Sequence, residues 1–329
     1  MSEFVRKTAQ REKNRPRAAK GGDSTLSRAK AGIYAGKMVS ETLAAMAMSD
    51  GSPEDEALAE IFAILALEAG AAIMRVFETD PHKRLKSDSS PVCDADLFGE
   101  EIILKGLARH APFPVVAEEL AALGQAPAIS GGDFILVDAL DGTKEFLQHR
   151  DSFTVNIALI RDGAPTAGVV YAPARRELYL AGRCARKCLA APGDKPPSRD
   201  QWRPLQTRPM PRENAIAVIS RQHRDPESER YLTGLPVTQV VSTSSSLKFC
   251  LIAAAEADVY PRFSRTMEWD IAAGDAVLRR AGGLVVDVSG APVTYGKTAQ
   301  DFANGPFIAW GDPKAAEFYA QLRATGANR

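Results

Sequence analysis

Two aspartates three residues apart end an apolar run and are followed at once by Gly-Thr, in FILVDALDGTKEFL at 134–147. Asp138 and Asp141 bring hard oxygen ligands. Gly142-Thr143 reads as the opening of a helix, where free backbone N–H groups and the dipole favour an anion. Carboxylates at such a place repel a phosphate unless cations lie between them. Two readings stand level on this stretch alone: a Mg2+-dependent phosphate site, or an Asx-type turn with Asp141 capping a helix.

Three other segments carry acids that periodicity does not explain. Glu118-Glu119 ends the apolar run PVVA, where a plain strand would turn on Gly or Asn. Asp270 follows Trp269 at the head of a small-residue helix, DIAAGDAVLRRAGG. Asp88 and Asp96 flank Ser-Ser-Pro-Val-Cys. Singly, each is a cap or a solvated turn. Their coincidence with an anion-ready Gly-Thr favours the metal-assisted phosphate site.

These residues need elements to hold them. Ser52-Pro53-Glu54-Asp55-Glu56 starts a helix expected to run to about Phe77, and a second is expected from about Asp94 to Arg109. Strands are expected at 114–117 and 134–138, the latter delivering Asp138 and Asp141 to a loop. An antiparallel meander follows over 153–160, 166–171 and 177–181. Residues 184–213, rich in Pro and Arg, are expected to be an irregular join between a first half at 51–183 and a second at 214–329. The second half alternates strand and helix (215–220, 226–233, 237–241, 245–256, 257–260, 270–281, 284–287), an α/β pattern.

Bulk properties exclude several classes. The chain has 329 residues, 45% of them hydrophobic, enough for one large core or two adjoining ones. Lys+Arg and Asp+Glu balance at 41 each, so no global charge argues for nucleic acid or membrane. The balance hides a basic head: residues 1–37 hold ten Lys/Arg against Glu3, Glu12 and Asp23. The extension 1–50 is expected to be disordered to Gly22, with room for a helix at 24–48. A solvated tail is the plain reading; a transit peptide or a weak tether to an anionic surface stays open. The four cysteines form neither a CxxC pair nor a zinc set, so a reducing compartment is expected. The apolar stretch 61–77, interrupted by Glu68 and Gly70, fits a buried helix better than a membrane span.

The segments KSDSSPVCDAD, PVVAEE, ILVDALDGTKEF, FTVNIALIRDGAPTAGVVYAPA, SSSLKFCLIAAAEADVYPRF and WDIAAGDAVLRRAGG resemble the inositol monophosphatase superfamily of Mg2+-dependent, Li+-sensitive phosphomonoesterases. Within it they look most like the CysQ-type 3'(2'),5'-bisphosphate nucleotidase branch. The resemblance covers roughly 60 to 310, nearly everything beyond the head. It implies an α+β fold layered α/β/α/β/α, with the metal site between an α+β half and an α/β half. It also implies two or three Mg2+ held by Glu118, Asp138, the Leu140 carbonyl, Asp141 and Asp270. Asp96 and Thr143 match the pair that orients the attacking water, and Gly142 and Thr143 offer N–H groups to the phosphate. The chain departs from the pattern at Ala139, where the family usually has Pro, and at Cys93, where it usually has Thr.

For the substrate, the resemblance implies contacts from Glu118, Asp270, Ser220-Arg221-Gln222-His223, Ser245, Lys248 and Arg262. The plain alternatives are a solvated Lys248, an Arg262 loop salt bridge and a surface His223. The implied activity is removal of the 3'-phosphate from adenosine 3',5'-bisphosphate, giving AMP and phosphate in sulfate assimilation. A phosphatase for inositol phosphate or another sugar phosphate is the rival. A non-catalytic nucleotide- or RNA-binding protein is the rival of another class, and five clustered acids argue against it. The expected partner is a nucleotide and not nucleic acid. The expected location is the cytoplasm, with peripheral contact to the inner face of the membrane left open, and the sequence leaves the oligomeric state open.

Overall fold

The computed structural model describes residues 51–79, 84–85, 91–129, 132–222 and 225–324. The basic head with its expected helix, Asp88 and His223 lie outside the described residues.

Helix α1 (Pro53–Phe77) begins on a reciprocal cap. Ser52 Oγ accepts the Asp55 N–H at 3.0 Å, and the Asp55 carboxylate accepts the Ser52 N–H at 3.3 Å. A short hairpin, β1 (Arg84–Leu85) and β2 (Pro91–Val92), leads to α2 (Asp94–His110). Then come β3 (Val115–Ala117), α3 (Glu118–Ala122), β4 (Phe134–Asp141), α4 (Thr143–Leu147), β5 (Thr154–Arg161), β6 (Ala164–Ala172), β7 (Glu177–Ala181), β8 (Ala185–Leu189) and β9 (Arg203–Pro204). Strands β3 to β9 form one seven-stranded sheet in sequence order, antiparallel except at β3–β4.

The chain continues with β10 (Ala215–Ser220), α5 (Pro226–Leu232), β11 (Val237–Thr243), α6 (Leu247–Ala253), β12 (Val259–Arg262), β13 (Thr266–Met267), α7 (Glu268–Arg280), β14 (Leu284–Asp287), β15 (Ala303–Asn304), β16 (Phe307–Trp310) and α8 (Pro313–Ala324). The second sheet has the order β11-β10-β12-β16-β14, parallel over its first three strands and antiparallel at β16.

Among the described residues, three apolar cores glue five layers. The first joins α1 and α2 to one face of the large sheet, through Phe62, Ile73, Ile103, Val137 and Tyr171. The second fills the space between the sheets around α6 and α7, through Phe249, Ala273, Val277 and Phe307. The third lies outside the second sheet beneath α5 and α8, through Tyr231, Ile308 and Trp310. This is the α/β/α/β/α layering that the resemblance implied. Close approach is written into particular glycines. A Cβ on Gly168 would come within 3.0 Å of Ala276 on α7, and one on Gly106 would strike Leu65 of α1 at 2.1 Å. Helix α1 is apolar and long enough to cross a bilayer, yet most of its apolar window is buried against α2 and the large sheet.

The stretch 184–213 is not wholly irregular. Ala185–Leu189 is the penultimate strand of the large sheet, and Arg203–Pro204 is a two-residue strand at its edge. β8, with the sequence ARKCL, is only partly buried and lacks the continuous apolar signal of a central strand.

Candidate active site

The two aspartates of the opening motif reach the same cleft because the strand that carries them is bulged. Side chains alternate along a strand, so residues three apart point to opposite faces. Between Asp138, opposite Asn156, and Asp141, opposite Thr154, β4 has one residue more than β5. The extra residue turns both carboxylates to one side. The expected loop is thus a bulged continuation of β4, ending at Asp141 rather than Asp138. Asp138 Oδ1 accepts the Leu140 N–H at 3.0 Å, an Asx-type contact that holds the backbone at Ala139 without the family's proline. Asp141 does not cap α4; its N-cap is Gly142, at φ +98°.

Glu118 opens α3, and Asp270 is in the first turn of α7. One Asp270 oxygen caps the Met267 N–H at 2.7 Å. Carboxylate oxygens of Glu118, Asp138 and Asp270 lie within 4.8 Å of one another. This all-oxygen donor set fits a hard divalent cation. Asp141, Leu140, Gly142 and Thr143 border the same cleft, of about 310 Å³.

Behind Thr143 stands Asp96, buried on α2. Thr143 Oγ1 donates to Asp96 Oδ1 at 3.0 Å and lies 3.4 Å from the Leu140 carbonyl. Its single hydrogen goes to the nearer, charged acceptor. Cys93 completes the chain: its N–H and its thiol donate to Asp96 Oδ2 at 2.8 and 3.0 Å. The thiol stands where the family's threonine hydroxyl would, and burial beside Asp96 pushes it up to about 12.

The second half supplies the far wall, where Ser220, Gln222, Ser245, Lys248 and Arg262 line the cleft. Ser245, at φ +57°, is within hydrogen-bond distance of the Asp141 and Ser152 carbonyls, at 2.7 and 3.0 Å. A Cβ on Gly142 would meet the Ser245 hydroxyl at 2.5 Å, so only glycine lets the halves approach this closely. Lys248 is buried, not solvated; its Nζ donates to the Ser245 carbonyl at 2.7 Å and lies 5.4 Å from the Tyr260 ring centroid. Arg262 sits buried on strand β12 rather than in a loop, with its Nε 3.4 Å from the Ser264 carbonyl. Arg221 does not line this cleft; it holds Ser152 Oγ and the Ser242 carbonyl, both at 3.2 Å.

Sequence reasoning missed two contacts. Glu145, buried on α4, accepts from Ser244 at 2.6 Å and ties the two halves beside the cleft. Asn156 lies 3.4 Å from Asp141 Oδ2. Both join residues far apart in the chain, and no local pattern announces them.

The electrostatics follow from crowding. Burial lifts Asp141 to about 6; Lys248 pulls it down, and Glu118 and Glu145 push it up. Asp270 is raised well above its ordinary value by burial, then by Asp141 and Glu118. Burial also raises Asp96, against its bonds from Cys93. Lys248 is lowered to about 8, by burial first and against the pull of Asp141.

Residues 54–325 match the inositol monophosphatase family. The chain is 42% identical over 236 residues to the 3'(2'),5'-bisphosphate nucleotidase CysQ of Escherichia coli (strain K12), covering 70% of this chain and 91% of that protein. To the Shigella flexneri protein of the same name it is 41% identical over 242 residues, with the same coverage. Among solved structures it is similar to CysQ from Bacteroides thetaiotaomicron, with TM-score 0.65, 36% identity, and coverage of 78% of this chain and 97% of that one. An inositol monophosphatase from Anabaena shares the fold, with TM-score 0.62, 23% identity, and coverage of 83% and 96%.

Proposed function

The chain belongs to the inositol monophosphatase family, and from that premise we propose that it is a Mg2+-dependent 3'(2'),5'-bisphosphate nucleotidase. It removes the 3'-phosphate of adenosine 3',5'-bisphosphate to give AMP and phosphate. One observation carries the reading: a single cleft joins a cluster of carboxylates on one wall to two buried cations, Lys248 and Arg262, on the other. An inositol monophosphate has one phosphate and no use for a second cationic pole.

Glu118, Asp138, Asp141, Asp270 and the Leu140 carbonyl would hold the ions, two of them in the simplest arrangement. Bound there, Mg2+ polarises the phosphoryl group, acidifies a water and steadies the leaving alkoxide. Thr143 gives its hydrogen to Asp96, so its oxygen is left to accept one from the attacking water. As the water attacks phosphorus, its proton passes to Thr143 Oγ1 and the threonine proton to Asp96, whose raised affinity suits it to receive one. The bond from phosphorus to the 3'-oxygen breaks, and that oxygen takes a proton from solvent. Gly142 and Thr143 border the phosphate end of the cleft with their N–H groups. Lys248 and Arg262 hold the non-reacting 5'-phosphate, Arg262 with a geometry suited to bidentate contact. Binding energy from that remote group positions the reacting one.

Phosphate release from a panel of nucleoside bisphosphates, AMP and inositol 1-phosphate, with Mg2+ and with excess EDTA, tests the proposal. Adenosine 3',5'-bisphosphate is expected to be cleaved with the highest kcat/KM, and only with metal. Equal rates on inositol phosphate, or full activity in EDTA, would overturn it.

A further inference from the structure

We propose that Glu100 is a positioning residue for Glu118, an inference that rests on the metal-dependent reading above. Glu100 lies on α2 one turn beyond Asp96, so both carboxylates leave the same face of the helix. It is buried, and its oxygens are spent on two successive peptides. Oε2 accepts the Glu119 N–H at 2.8 Å, and Oε1 accepts the Leu120 N–H at 3.1 Å.

These are among the first N–H groups of α3, which the helix itself cannot satisfy. The local N-cap, Ala117, has no side chain that could do it. The cap therefore comes from another helix. A buried carboxylate is costly unless hydrogen-bonded, and an apolar side chain would fill the space more cheaply. What the acid adds is orientation. A two-oxygen clamp on the Glu119 and Leu120 peptides fixes the backbone that immediately follows Glu118, and so fixes where its carboxylate points.

Asp96, four residues earlier, fixes the Thr143 hydroxyl in the same way. One rigid face of α2 thereby sets the carboxylate that would hold metal and the hydroxyl that orients water in a common frame. Groups that orient metal ligands commonly matter almost as much as the ligands.

Mn2+ binding without substrate, followed by electron paramagnetic resonance, tests this in Glu100→Ala and Glu100→Gln, with melting temperatures measured alongside in EDTA. Parent protein and Asp138→Asn serve as references. If the parent binds no Mn2+, or Asp138→Asn binds it as well as the parent, the metal reading itself fails. Given that reading, Glu100→Ala is expected to weaken Mn2+ binding about 10- to 100-fold. Glu100→Gln, which keeps one acceptor oxygen, is expected to weaken it less. A folded Glu100→Ala with parental Mn2+ affinity would overturn the proposal. If Glu100→Ala does not fold, Glu100→Gln decides: weaker binding supports the role, and parental binding overturns it.

Discussion

Helix α7 carries two aspartates five residues apart, and their surroundings differ. Asp275 is fully buried and fully answered: Arg279 Nε reaches one oxygen at 2.7 Å and the Tyr295 hydroxyl the other at 2.8 Å. Burial raises it, and Arg279 pulls it back. Asp270 opens on the cleft, where after burial its largest neighbours are Asp141 and Glu118, which push it further the same way. One aspartate neutralises a cation that the chain supplies. The other belongs to a group of acids that push one another up and that Arg262 and Lys248 offset only in part. The first arrangement builds structure, and the second is the proposed cation site.

That contrast can be broken by substitution. The largest effect is expected on turnover. Asp141→Asn, or Asp270→Asn, should cost more than about a hundredfold in kcat, beyond the usual effect of groups that only support metal ligands. A steady-state assay at saturating Mg2+ checks this. Asp275→Asn should act through stability instead. It leaves Arg279 buried with a weakened partner, so urea melts should show a loss of up to about 3–5 kcal/mol, with kcat of the folded fraction preserved. The smallest and most selective effect belongs to the opposite wall. Lys248→Ala and Arg262→Ala should each cost about 1.5–3 kcal/mol in kcat/KM for adenosine 3',5'-bisphosphate, the worth of a charged hydrogen bond. Slow hydrolysis of inositol 1-phosphate should be spared. Equal loss on both substrates would move these cations from selection to support.

Much of this was legible in the chain. Strands at 215–220 and 284–287 and helices at 53–77 and 94–109 announce themselves by apolar runs, caps and alternation. Asp138, Asp141 and Asp270 stand out because carboxylates interrupt patterns that packing would continue. The bulge in β4 was not legible, because one extra residue shows only against the partner strand. β8 and β9 were missed because a part-buried strand such as ARKCL and a two-residue exposed edge strand carry no apolar run. Glu100 and Glu145 were missed for a different reason. A single acid within a helix reads as a solvated face, and only long-range contacts with Glu119 or Ser244 show otherwise.

The contrast between the two ends of α7 is tested most directly by melting the parent and Asp270→Asn proteins at pH 7.5, in EDTA and in Mg2+. The sign comes from linkage. A carboxylate raised by folding, such as Asp141 at about 6, stabilises the native state below its unfolded value and loses that contribution as pH rises through the folded value. At pH 7.5, above the folded value of Asp141, that contribution is gone and the metal-free cleft holds an ionised Asp141 among neighbouring acids. The parent should melt low in EDTA and rise with Mg2+. Asp270→Asn, with one buried acid removed and an oxygen still able to cap Met267, should melt at or above the parent in EDTA and gain little from Mg2+. If it melts well below the parent in EDTA, as Asp275→Asn should, then Asp270 is a structural acid like its neighbour and the cleft holds no stored cation site.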